Sequence, residues 1–228
     1  MNLYTCLTPS HRLLLRRHFL PSVPSDLTPI IQQFDQPIIN KQNGEHSSGV
    51  YGKNGFNEAV ELKIIYLREC IQNEIETGGE PFIFSDVDVR FYGPIAESAL
   101  QGLGNHDIAF QQDRPGGCCT GFMVIRPNLR NISLFEQTLS VMKQLGTEDQ
   151  IATEVVLKRS THDWIHLPER KFWSIGQSVR QTGCAWIPGQ PVDPPSELLM
   201  HHANWTVGLD NKAALLEIVR ARMESRRP

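Results

Sequence analysis

An α/β fold with a mostly parallel central sheet flanked by helices is predicted by three observations. Short apolar runs of strand length alternate with amphipathic segments of helix length. The run Pro81-Phe82-Ile83-Phe84-Ser85 is apolar without alternation, as a strand covered on both faces requires. No repeat or low-complexity tract interrupts the pattern, and 228 residues with a hydrophobic fraction of 40% suit one domain over residues 1–228.

Residues 3–7 read as the first strand. Ser10 is placed as the N-cap of a helix through Leu13, Leu14, Leu15 and Phe19, which Pro21 and Pro24 end. Residues 29–34 form a second strand candidate. Residues 40–56 are polar and carry Gly44, Gly49, Gly52 and Gly55, so a mobile functional loop is expected there. Asn57 is placed as the cap of a helix whose Val60, Ile64, Leu67, Ile71 and Ile75 share one face, and Thr77-Gly78-Gly79 stops it. Strands are expected at 81–85, 107–111 and 121–126, with one short helix at 95–100. Helices follow at 131–145 and 149–158. After an irregular stretch rich in Pro and Gly, the chain closes with a strand at 198–200 and a helix at 211–223.

Composition excludes several classes. A net charge of −3 gives no electrostatic footprint for nucleic acid. No stretch approaches the roughly 18 apolar residues of a spanning helix, so no transmembrane segment is expected. The N-terminus shows neither a basic leader nor a small-residue cleavage site, and a cytoplasmic protein is expected. Five cysteines without a CxxC spacing indicate neither a zinc site nor a disulfide framework. Cys118 and Cys119 are read as packing residues. The sequons at Asn131 and Asn204 carry no weight without a secretory route. Of the four tryptophans, Trp173 or Trp205 is preferred for stacking on a sugar.

The most informative segment is Ser85-Asp86-Val87-Asp88. Two carboxylates two residues apart in extended backbone point the same way. At the carboxyl end of a buried strand they face the crevice where open α/β sheets bind ligands. Held close, they repel unless a cation sits between them, and Mn2+ or Mg2+ suits their oxygens and bridges to a diphosphate. The ordinary alternative is a turn whose Asp residues cap and solvate. Another is the phosphatase motif of the haloacid dehalogenase superfamily, with Asp86 as nucleophile. That motif normally sits on the first strand of its chain, whereas Asp86 follows several elements.

A second constellation runs from His201 and His202 through Asn204, Trp205 and Gly208 to Lys212. A neutral imidazole is a good third ligand for a manganese-type ion. Gly208 would let backbone approach a phosphate, and Lys212 near a helix N-terminus would help hold a diphosphate. Each residue alone is ordinary: a structural His, a turn Gly, a solvated Lys.

With these segments in hand, the chain resembles nucleotide-diphospho-sugar transferases of the GT-A type, in particular the group around the plant cell-wall arabinosyl and xylosyl transferases. It is also similar to the glycogenin-like family, which ends in a His-x-x-Gly-x-x-Lys motif. Four segments carry the resemblance in order. Thr5-Cys6-Leu7-Thr8 resembles the nucleoside-binding edge, and Ser85-Asp86-Val87-Asp88 the DxD motif. Asp107-Ile108-Ala109-Phe110-Gln111-Gln112-Asp113 with Cys119-Thr120-Gly121-Phe122-Met123 resembles the floor of the sugar site. Asp149-Gln150 and His202-Ala203-Asn204-Trp205 complete the set.

The resemblance implies a GT-A-like fold and transfer of a glycosyl group from a nucleotide-sugar donor, UDP by prior, to a hydroxyl of a glycan, lipid or protein acceptor. It implies Asp86, Asp88 and His202 as metal ligands, with Asp86 shared with the ribose. Thr5, Thr8, Lys63, Asp107, Gln111, Thr120, Gly121, Gly208 and Lys212 would bind the donor, and Asp149, Gln150 and Asp113 would do the chemistry. An inverting enzyme needs a base, Asp113 or Asp149, while the resemblance favours retention. Three residues separate Gly208 from Lys212 where the glycogenin-like pattern has two, and His201 could replace His202. A catalytically silent nucleotide-sugar binder is the remaining alternative.

Overall fold

The computed structural model describes residues 1–34, 56–176 and 185–226. Residues 40–55 of the expected functional loop lie outside them. A six-stranded sheet runs in the order β2-β1-β3-β6-β5-β7. Its strands are β1 (Asn2–Leu7), β2 (Thr28–Gln33), β3 (Phe82–Ser85), β5 (Ile108–Gln111), β6 (Cys119–Ile125) and β7 (Trp164–His166). Three pairings are parallel, β1 with β2, β1 with β3 and β5 with β7. Strand β6 runs antiparallel to both its neighbours. A second sheet, β4-β9-β8, is built from β4 (Val89–Phe91), β9 (Met200–His202) and β8 (Phe172–Ser174).

Apolar side chains leave both faces of the large sheet. Phe82, Phe84, Ile108, Phe110, Met123 and Ile125 pack on one side with Ile64 and Leu67 of α2 (Phe56–Glu76) and with Leu134 and Phe135 of α4 (Leu129–Leu145). Helix α5 (Asp149–Arg159) joins them through Ala152 and Val156. The alternate residues Ile83, Ala109, Phe122 and Val124 face the other layer. That layer holds the small sheet, α3 (Ala96–Leu103) and α6 (Leu209–Glu224). Both faces are covered, which is why the strands read as continuous apolar runs. Burying one such Ile, Leu or Phe contributes about 1.5–3 kcal/mol.

Several boundaries differ from the sequence reading. Ser10 is no N-cap: after β1 the chain winds through a 3-10 turn at Pro9–His11, α1 (Arg12–Leu14), a π turn at Leu15–Phe19 and a second 3-10 turn at Leu20–Ser22. Pro9 suits the first helical position and Thr8 takes the N-cap place, so the winding begins two residues earlier than the Ser suggests. Helix α2 starts at Phe56, and Asn57 lies inside it. Helix α4 starts two residues early because Asn128 is the true cap, accepting from the Asn131 N–H at 2.9 Å. Asn131 is fully buried, so its sequon is inaccessible.

Strand β9 covers Met200–His202 instead of 198–200. Leu198 is still turning after the prolines, its N–H bonded to Pro195 O, while Met200 and His202 pair with Phe91 and Val89 of β4. Strands β4, β7 and β8 have three residues each, too short for a periodic signal.

Candidate active site

The carboxyl ends of β1, β3 and β5, the amino end of β6 and the first turns of α2, α5 and α6 surround a cleft of about 550 Å³. That volume suits a small-molecule ligand.

One wall carries Asp86, Asp88 and His202. A ligand atom from each lies within 4.8 Å of the others. Asp86 follows β3, its N–H bonded to Gly121 O at 2.8 Å. Asp88 sits before β4, and its carbonyl accepts from the Ala203 N–H at 2.8 Å, which ties the acidic turn to the end of β9. His202 Nε2 is 3.3 Å from Asp88 Oδ1, and Lys212 Nζ pairs with Asp88 Oδ2. Burial works against the charge on Asp88, but Lys212 and His202 outweigh it and hold the carboxyl well below the usual range. Burial likewise opposes the imidazolium of His202, yet the Asp88 carboxylate pushes the ring up to about 10. Two carboxylates and an imidazole form a donor set for Mn2+ or Mg2+, and a cation there would replace the positive charge that Lys212 and His202 now turn on Asp88.

Gly121 makes room for this wall. A Cβ there would lie 2.3 Å from His202 Cε1 and 2.8 Å from Asp86 Oδ2. The glycine therefore provides space between two proposed ligands.

The second wall is an ion-paired network. Lys63 Nζ is 2.7 Å from Asp149 Oδ2 and 3.4 Å from Asp86 Oδ1. Thr120 Oγ1 donates to the same Asp149 oxygen at 2.9 Å. Burial alone would lower the Lys63 ammonium, but Asp149 and Asp86 raise it above its ordinary range. Farther along, Asp113 Oδ2 accepts from Gln150 Nε2 at 2.8 Å and from Trp205 Nε1 at 3.0 Å. Its other oxygen is buried without a partner among the described residues. Trp205 holds φ of 51°, and a Cβ on Gly176 would lie 2.3 Å from its ring.

Most of the expected residues thus converge. Thr8, Lys63, Asp86, Asp88, Asp113, Thr120, Gly121, Asp149, Gln150, His202 and Lys212 all line the cleft. Four do not. Thr5 is fully buried within β1. Asp107 lies before β5, at the opposite end from Gln111, and accepts from Asn128 Nδ2 at 2.7 Å and Arg130 Nη1 at 3.2 Å. Gln111 is fully buried behind His202. Gly208 caps α6 beside the cleft, with φ of 90° and its carbonyl accepting from the Lys212 N–H. The three-residue spacing places Lys212 one helical turn beyond Gly208, within reach of Asp88.

His201 does not replace His202. Alternation on β9 turns it away from the cleft onto Trp173, with ring centroids 5.0 Å apart. Trp173 is therefore core, and Trp205 alone of the preferred pair reaches the cleft. Sequence reasoning missed His11 and Arg114. His11 lines the cleft with Nδ1 near Thr8 Oγ1 and Ser10 Oγ, and its place just after the first strand was the available signal. Arg114 is clamped by both oxygens of Glu154 at 2.6 and 2.7 Å, a partner far away in sequence.

The architecture is that of GT-A glycosyltransferases. The chain is similar to a glycosyltransferase involved in glycosylation of the major capsid of PBCV-1, at 11% identity and TM-score 0.61, covering 95% of this chain and 98% of that one. It is similar to the glycosyltransferase GlyE of Streptococcus pneumoniae TIGR4, at 12% identity and TM-score 0.55, where 97% of this chain spans 63% of that one. It is also similar to the galactosyltransferase LgtC, solved with donor and acceptor sugar analogues, at 11% identity and TM-score 0.51, covering 99% and 96%. No curated protein sequence matches. The family model for nucleotide-diphospho-sugar transferases matches residues 30–216, and the chain belongs to that family. No helix among the described residues is long and apolar enough to cross a membrane.

Proposed function

We propose that residues 1–228 form one catalytic domain that transfers a glycosyl group from a nucleoside diphosphate sugar, UDP-linked by preference, to a hydroxyl acceptor with the help of Mn2+ or Mg2+. The observation that carries this reading is the Asp86–Asp88–His202 cluster beside Lys212 in the cleft of a nucleotide-diphospho-sugar transferase.

Asp86, Asp88 and His202 would hold the cation, which supplies charge stabilisation for a departing diphosphate. Lys212 leaves Asp88 for the diphosphate, joined by the free N–H groups of the first turn of α6 after Gly208. Thr8 and His11 lie on the donor side, at the end of β1. Lys63 holds Asp149 and Asp86 in fixed positions, so the sugar hydroxyls meet oriented oxygens without a cost of reorganisation. Thr120 and Gly121 floor that subsite. Asp113, Gln150 and Trp205 face the acceptor, where Trp205 offers a ring face to a glycan. Free, buried Cys6, Cys70, Cys118 and Cys119 fit a reducing compartment such as the cytoplasm.

The test is incubation with Mn2+ and a panel of nucleotide sugars, measuring free nucleoside diphosphate. Metal-dependent release supports the transferase. Release of inorganic phosphate from phosphate esters would instead support a phosphatase, and donor binding without turnover in the presence of acceptors a silent binder.

A further inference from the structure

Gln111 ends β5 and is fully buried, out of reach of a substrate in the cleft. Its amide nitrogen donates to two main-chain carbonyls of β8, Trp173 O at 3.0 Å and Phe172 O at 3.3 Å. Those bonds fix the orientation of the amide, because a flipped side chain would press its oxygen against both carbonyls. Oε1 therefore faces His202, 2.9 Å from Nδ1. An amide oxygen only accepts, so Nδ1 carries a hydrogen. The other neighbour of Nδ1, Cys119 Sγ, is 3.6 Å away and competes weakly. In the neutral ring the lone pair is then on Nε2, the atom 3.3 Å from Asp88 Oδ1.

We propose that Gln111 is a positioning residue that locks His202 with hydrogen on Nδ1 and presents the Nε2 lone pair to a divalent cation shared with Asp86 and Asp88. The proposal rests on the reading of those three residues as metal ligands. The backbone of β8 orients the amide, the amide orients the ring, and the ring presents one nitrogen. A carboxylate at position 111 would not be equivalent, since it has no N–H groups for the two carbonyls.

The test uses the whole protein, labelled with 15N at histidine and loaded with Mg2+ as a diamagnetic probe. Long-range 1H–15N correlation spectra report which ring nitrogen is protonated, and the His202 signals are identified by their loss in His202→Gln. The expected result with Mg2+ bound is a protonated Nδ1 and a bare Nε2 whose signal differs from that of the metal-free protein. A His202 that responds to Mg2+ but is protonated on Nε2 overturns the role of Gln111 and leaves the metal reading standing. A His202 indifferent to Mg2+ overturns the metal reading itself. In a folded Gln111→Leu variant, Mn2+ binding should weaken about 10- to 100-fold. Unchanged Mn2+ affinity there also overturns the role of Gln111.

Discussion

The two sheets meet at one cleft but serve it differently. The large sheet, packed on both faces, delivers Asp86 from the end of β3 and clears space with Gly121 of β6. The small sheet has strands of three residues each, yet it supplies His202 and, through β8, the carbonyls that hold Gln111. Asp88 stands at the junction, its side chain facing His202 and Lys212 and its carbonyl bonded to Ala203. A rigid, extensive layer fixes the acidic pair, and a short, local one completes the charge pattern around it. A site split in this way depends on the registry between layers.

The largest effect is expected at the junction. Asp88→Asn should lower metal-dependent release of nucleoside diphosphate by about 10³-fold or more, because a proposed metal ligand and the charged partner of Lys212 are lost together. Full activity in that variant would sink the metal assignment. On the large sheet, Gly121→Ala should weaken Mn2+ binding by about 100-fold by forcing His202 and Asp86 apart, since one misplaced ligand shell costs that much. Calorimetric titration with Mn2+ checks it, and unchanged affinity would show that the small sheet yields without loss.

A smaller effect is carried by protons. His202 must lose its Nε2 proton to ligate, and in the metal-free protein its pKa is raised to about 10. Mn2+ affinity should therefore rise with pH, about tenfold per unit, until the ring titrates. A flat profile between about pH 6 and pH 8 would contradict the pairing with Asp88.

The smallest effect distinguishes the two faces of β9. Burial first, and then the charge of His202, lowers the His201 pKa to about 3. Below the unfolded value near 6.5 the unfolded chain binds the extra proton, so stability falls as pH drops from there toward 3. Replacing His201 by Phe should remove about 1 kcal/mol of that acid loss one unit below the unfolded pKa, read from urea unfolding at two pH values. Equal acid sensitivity in both proteins would rule out His201 as its source.

The legible features share a physical cause. β3, β5 and β6 are covered on both faces, so burial had to appear as unbroken apolar runs. Helix α2 buries Val60, Ile64, Leu67 and Ile71, and that spacing is visible without coordinates. The acidic pair was legible because it directly follows such a run. Asp107 misled because its residue type suits a ligand site, while Asn128 and Arg130, which claim it, are remote in sequence. The small sheet was illegible because three residues carry no period.

The sequence by itself determined an α/β chain with two carboxylates at the end of a buried strand and a His–Gly–Lys segment near its close. Both follow from local rules, apolar continuity and the preference of helix starts for glycine and anions. Only the tertiary structure decided that His202 and not His201 faces the cleft, that Lys63 binds Asp149, and that Gln111 stands behind the imidazole. Each of those depends on strand register and on partners tens of residues away. Alternation fixes that neighbouring side chains on a strand oppose one another, but pairing of β9 with β4 and β8 fixes which of them meets Asp88.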